Sequence, residues 1–164
     1  MIDISINNAL GELSDKLNSF DKDELCNVVA TNILPLIRVR VHAQGLASDG
    51  TPIGIYSKGY MKVRTGNYPE TILTKGKHKG QPRTIYNRST DTKVILSLTS
   101  QMEQDMKVVQ TENGYGIGYS NEFNYNKAIW NQIRYKKDIW DLSVDELNTM
   151  ESISENYANT KLND

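Results

Sequence analysis

Between residues 45 and 82 the chain carries seven of its eleven glycines and three of its four prolines, Pro52, Pro69 and Pro82. That density of turn formers rules out a long helix or an uninterrupted strand there. Any fold must therefore accommodate an excursion over residues 46–93 between two more regular flanks. It opens as GLASDGTPIGIYSKGYMKVR and continues as TILTKGKHKGQPRTIYNRSTDTK. The second half is polar, basic and glycine-bearing, the composition of a mobile arm that orders on a partner. Loops of this length in a small domain are functional or disordered, and three uses compete: an active-site lid, a nucleic-acid contact or an assembly arm.

Charge narrows the choice. Residues 58–93 hold nine Lys/Arg against Glu70 and Asp91, a net of +7. The whole chain is formally −1, so the remainder is −1 − 7 = −8. With 164 residues and 38% hydrophobic content the chain suits a single domain. No run approaches the roughly 18 apolar residues of a membrane span, and MIDISINNAL has neither a basic region nor an apolar signal core. A soluble, unsecreted protein without membrane contact is expected.

The flanks read as helices and a hairpin. Ile6, Leu10, Leu13 and Leu17 share one face of a helix over residues 3–17. A second helix starts after Asp21, whose spacing to Glu24 is that of a capping box. Its stripe runs through Leu25, Val29, Ile33, Leu36 and Arg40 toward Gln44, with Gly45 as the stop. Pro35 should kink or break it. Residues 46–93 show no sustained period and read as mostly irregular. Val94, Ile95, Leu98, Met102 and Met106 predict a helix over residues 94–105. Asn113-Gly114 then predicts a hairpin of residues 107–112 and 115–120 with a type I′ turn. In that register Glu112 opposes Tyr115, Gln110 opposes Ile117 and Val108 opposes Tyr119. Gly116 and Gly118 share the other face, which implies a close approach there by a helix or by a neighbouring subunit. After Ser120 or Asn121 a helix buries Phe123, Ala128, Trp130, Ile133 and Tyr135. A last helix opens with a Ser143/Glu146 capping box and a Leu142/Leu147 staple, and its tail frays from Asn156. The expected fold class is α+β: helices packed on a small antiparallel sheet, with a long irregular basic loop. The expected parts are residues 1–45, 46–93, 94–142 and 143–164.

Little in the sequence points to catalysis. Cys26, the only cysteine, lies in an apolar pattern and reads as a buried thiol. His42 and His78 lack the spacing of zinc ligands. Asp49, Asp91, Glu103 and Asp105 have no spacing that builds an acid/base pair. Gly114, Gly116 and Gly118 fit a hairpin better than a phosphate loop. No catalytic residue, metal or cofactor is expected. Tyr56, Tyr60, Tyr68 and Tyr86 among the basic residues have the composition of a single-strand nucleic-acid surface. A merely solvated arm is the bland reading of the same run, and docking onto an acidic neighbour, including another copy of this chain, is the preferred one.

Taken in order, RVRVHAQG, SDGTPIGIYSKGYMKVR, LSLTSQMEQDM and GYGIGYSNEFN make residues 38–142 resemble the bacteriophage neck and tail-completion proteins, which join head to tail. Shared features are N-terminal helices, a Gly-x-Pro loop followed by aromatic and basic residues, a Leu-x-x-Thr-Gly-x-Leu/Met segment opening a helix, and a strand pair ending in glycines. This chain departs from the pattern at Thr99-Ser100, where the family carries Thr-Gly. The resemblance implies a non-enzymatic virion protein of the neck or tail, made in the host cytoplasm. It implies a ring-forming homo-oligomer that contacts portal or connector and tail proteins. On this chain the assembly arm falls to Asp49, Gly50, Pro52, Tyr56, Tyr60 and Arg64, with Thr99 and Met102 in the helix supporting the sheet. The basic residues Lys75, Lys77, Lys79, Arg83 and Arg88 are further partner-binding candidates. The alternative reading is a DNA-binding accessory protein of packaging that uses the basic segment; a small hydrolase with the loop as lid is a third class.

Overall fold

The computed structural model describes residues 21–68, 70–111 and 114–163. The helix expected over residues 3–17 lies outside them. Helix α1 (Lys22–Arg38) starts where Asp21 caps it, its carboxylate accepting from the amides of Asp23 and Glu24 at 2.9 and 3.0 Å. Glu24 does not close the reciprocal half of the box. Its carboxylate instead takes the Tyr157 hydroxyl at 2.5 Å and lies 3.3 Å from Lys161. The chain stays helical through Pro35 and then widens into a π-helical turn at Val39–Gln44. This geometry buries Arg40, Val41 and His42 consecutively, which a regular amphipathic stripe does not do. Gly45 ends the turn at φ +64; a Cβ there would stand 2.2 Å from the Val94 carbonyl oxygen.

The excursion has more structure than its sequence suggests, because its two ends are stitched together. Ile53 N–H donates to Gly45 O, Tyr56 N–H to Thr92 O and Val94 N–H to Gly54 O, at 2.8–3.0 Å. Ala47, Ile53, Tyr56 and Val94 enter the core beside Ile33, Ile37, Val41, Met106 and Ile139. The expected irregularity also fails between them. Ser57 caps helix α2 (Lys58–Thr65), and Gly66 stops it at φ +69. Farther out, Leu73 and Gln81 pair around the turn at residues 76–80, forming a hairpin-like arm.

The helix expected over residues 94–105 shrinks to α3 (Gln101–Asp105). Leu96 at φ +42 and Ser100 at φ +58 lie outside the helical region, so no helix can pass through them. Strands β1 (Met106–Thr111) and β2 (Gly114–Tyr119) form the expected antiparallel hairpin, in a register two residues from the expected one. Thr111 pairs with Gly114 and Val108 with Ile117. A two-residue slip preserves parity, so every side chain keeps its expected face. The expected close approach at the glycines does not occur among the described residues. Around the Cβ positions of Gly116 and Gly118 stand only the cross-strand Thr111 at 3.8 Å and Val109 at 3.3 Å.

Asn121 caps helix α4 (Glu122–Tyr135), whose buried residues are Asn124 and Ala128. Phe123, Trp130 and Ile133, expected in its apolar contacts, are instead 58–68% exposed. Helix α5 (Val144–Asn163) has the expected capping box: Ser143 N–H donates to Glu146 Oε2 at 2.8 Å and Glu146 N–H to Ser143 Oγ at 3.3 Å. Of the expected staple pair, Leu142 packs on the core while Leu147 is exposed. The helix continues past Asn156, tied to α1 through Glu24. Cys26 is half-buried rather than buried. The fold is α+β: among the described residues, five α-helices and a two-stranded antiparallel sheet.

Gly45 and Gly116 should therefore respond oppositely to alanine. Gly45→Ala meets both positive φ and the Val94 carbonyl and should cost more than about 2 kcal/mol. Gly116→Ala, with room for its methyl, should be neutral or stabilise by up to about 1 kcal/mol. Urea unfolding of the two variants measures both; a large loss at Gly116 would mean that another surface covers that face.

Candidate functional site

The residues singled out in the excursion separate into three groups. Asp49 and Gly50 build a turn. Asp49 Oδ1 accepts from the Thr51 amide at 2.9 Å and the Thr51 hydroxyl at 2.6 Å, and Oδ2 lies 3.3 Å from Lys137 Nζ. The Thr51 bonds, and then Lys137, hold its pKa below the usual carboxylate value. Ser48 fixes the turn to Asp138 O, and Pro52, exposed, follows it.

Tyr56 and Arg64 are not surface contacts, since they are 7% and 2% exposed. Arg64 Nη1 donates to Ser97 O at 2.6 Å, and its guanidinium lies 5.0 Å from the Tyr56 ring centre. Tyr56 in turn stacks on half-buried Tyr60 at 4.8 Å, and its hydroxyl accepts from Ile95 N–H at 3.1 Å. Burial raises the pKa of both tyrosines. This stack fixes α2 against residues 95–98 and so holds the base of the arm.

The third group lies on the arm. Lys75, Lys77 and Lys79 are exposed around its turn. The Arg83 guanidinium carbon stands over Tyr68, 3.9 Å from the ring centre. Arg88 Nε donates to Leu98 O at 2.9 Å, and its amide donates to Arg64 O at 3.0 Å. Arg83 and Arg88 therefore organise the arm, while the three lysines are free to meet a partner.

Beside the arm's base is a cavity of about 410 Å³ that sequence reasoning missed. Tyr60, Tyr86 and Tyr135 line it with Lys127 and Arg134, and among the described residues no carboxylate, histidine or cysteine does. Phenol hydroxyls and two cations can receive an anionic side chain, but such a lining has no group that takes up a proton near neutrality. Its only sequence signal was the Lys127/Arg134 pair on α4. Thr99 is exposed at its rim, and Met102 is buried beneath it on α3.

The other chemically conspicuous residues are spread through the fold. Asp105 accepts from Ser120 Oγ at 2.5 Å, Asn121 N–H at 3.0 Å and Asn124 Nδ2 at 3.1 Å. These bonds lower its pKa, Ser120 most of all, and join α3 to the start of α4. Asp91 caps a turn through Lys93 N–H, and His78 pairs with Gln81. Among the described residues no cluster of three or more His, Cys, Asp or Glu could hold a metal, and no helix is long and apolar enough to cross a membrane. Scans against protein-family models, curated proteins and solved structures found no match to this chain.

His42 is 5% exposed, 6.1 Å from Trp140 between ring centres. Neither ring nitrogen reaches hydrogen-bond geometry with a described group. Burial lowers its pKa, outweighing the attraction of Glu103, while Arg38 lowers it further. The unfolded chain then binds the proton more readily than the folded one. Stability should be full above the ordinary value of about 6.5 and fall as pH drops below it. Asp49 and Asp105, shifted down, add their own loss only below about pH 4. Urea midpoints between pH 8 and 5 check this: the slope should flatten in His42→Gln, and an unchanged slope would place the titrating group elsewhere.

Proposed function

We propose that this protein is a non-enzymatic structural component of a tailed bacteriophage virion. In this reading it acts in head-to-tail joining or tail completion as a subunit of a neck or connector ring. Its partners are other copies of itself and the portal, connector and tail proteins, and its place is the virion after synthesis in the host cytoplasm. The observation that carries the reading is the pairing of the motif order over residues 38–142 with the backbone at Ser100. Ser100 stands where the resembling family carries glycine, and at φ +58 it occupies the left-handed region that glycine favours. The arm adds support, because Lys75, Lys77 and Lys79 project from a segment of net +7. Exposed Asp21, Asp23 and Glu24 on one end, and Asp145, Glu151 and Glu155 on α5, supply acidic surface for a neighbouring copy.

The alternative, a packaging accessory that binds DNA through the arm, loses support from the aromatic residues. A single-strand surface needs exposed ring faces. Tyr56 is buried, Tyr60 stacks on it and Arg83 covers Tyr68.

Replacing Lys75, Lys77 and Lys79 together by Glu should abolish ring formation, read by light scattering and negative-stain microscopy, while the urea midpoint stays unchanged. Wild-type protein should form rings or join particles at the neck. A wild-type monomer that ignores virion parts but binds DNA, with affinity falling log-linearly with salt, would favour the alternative.

A further inference from the structure

Helix α4 is partly polar where it is buried and largely apolar where it is exposed. Asn124 and Ala128 face the fold at 7% and 4% exposure, while Phe123, Tyr125, Ile129, Trp130 and Ile133 are 39–68% exposed. At about 3.6 residues per turn those five side chains share one outward arc of about 160°. The face continues into a groove of about 280 Å³, walled on its other side by Ile117 and Tyr119 of β2. Its three aromatic rings are each more than half exposed. With the two isoleucines they present on the order of 500 Å² of apolar surface, toward the upper end of what a monomer shows to water. We propose that this face is a self-association surface: α4 of a second copy packs on it antiparallel, about a two-fold axis level with Ile129.

Area and charge select this occupant. Two copies bury on the order of 1,000 Å², about what a specific interface requires. The ends of α4 carry opposite exposed charges, Glu122 at the start and Arg134 and Lys136 at the finish. None of the three has an ion pair among the described residues. An axis at Ile129 brings Glu122 of each copy level with Lys136 of the other and within one turn of Arg134. Tyr125 then comes level with Ile133, and the two helix dipoles oppose. A lipid surface offers no such match, because Glu122 falls inside the apolar arc. The same patch on both copies closes the contact at two. The dimer is independent of the ring reading, since the arm supplies none of its contacts.

Sedimentation equilibrium of the full chain tests this, in wild type and in the Lys75→Glu, Lys77→Glu, Lys79→Glu protein. Dimers should persist in the triple variant even where rings are lost, so the two readings fail separately. Trp130→Ser with Ile133→Ser, both at exposed positions, should raise the dimer dissociation constant at least about tenfold at an unchanged urea midpoint. In a Cys26→Ser background, Ile129→Cys should cross-link to a dimer on oxidation, and Glu155→Cys on α5 should not. Glu122→Lys should weaken the dimer, and adding Arg134→Glu and Lys136→Glu should restore it. A monomer throughout overturns the proposal, as does a dimer indifferent to the Trp130 and Ile133 changes or one cross-linked only through Glu155→Cys. A wild-type monomer that binds phosphatidylglycerol vesicles gives the face to a lipid surface and also overturns it.

Discussion

Arg40 leaves the π-helical end of α1 with its guanidinium buried, and four bonds hold it. Nε donates to Glu146 Oε1 at 2.8 Å, Nη1 to Ile139 O at 3.0 Å and Leu46 O at 3.3 Å, and Nη2 to Asp141 O at 2.8 Å. Removing a guanidinium and a carboxylate from water costs several kcal/mol per ion, recovered only when the donors and acceptors are matched this fully. Glu146 also completes the cap of α5 through Ser143. One ion pair thus joins the end of α1, the start of the excursion, the connection before α5 and α5 itself. The wide π-helical turn puts Arg40 in that position, and Gly45 lets the chain turn away beneath the Val94 carbonyl.

From that centre the molecule divides by what each surface leaves unpaired. Toward α2 the Arg64–Tyr56–Tyr60 stack and the Arg88 bonds convert a turn-rich segment into a fixed base for the arm, so the arm's positive tip is carried on structure. Toward the hairpin, Trp140 donates to Ala128 O at 3.0 Å and meets Tyr119 edge-on at 5.8 Å. These contacts seat α4 on one side and leave its Tyr125/Ile129/Ile133 flank outside. The charged tip and the apolar flank therefore lie at different places on one subunit.

Much of the fold was legible because local chemistry and tertiary packing agreed. Asp21, Asn121 and Ser143 marked helix starts that the structure has, and alternation around residues 113–114 gave the hairpin its faces, though not its register. The failures share a cause. Leu96 and Ser100 adopt positive φ that no hydrophobic period announces, so the stripe from Val94 was read as helix. Helix α2 was passed over although Ser57 and Gly66 marked both its ends, because turn residues around it outweighed them. Tyr56 and Arg64 resembled interface residues in sequence and proved to be buried, because the Ser97 carbonyl and the Tyr56 ring receive part of the guanidinium inside the fold, while Arg64 Nε has no hydrogen-bond partner among the described residues. The exposure of apolar side chains along α4 was invisible: Phe123, Trp130 and Ile133 read as apolar contacts to any argument that equates apolar with buried.

The central claim is that the Arg40–Glu146 pair holds the helical layer and the excursion in one cooperative unit, and the unfolding free energy of Glu146→Ala tests it most directly. Removing the carboxylate strands a buried guanidinium and opens the α5 cap, so a loss of about 3–5 kcal/mol is expected, with a single urea transition in the surviving protein. A loss within about 0.5 kcal/mol, the ordinary size for a surface substitution, would contradict the account.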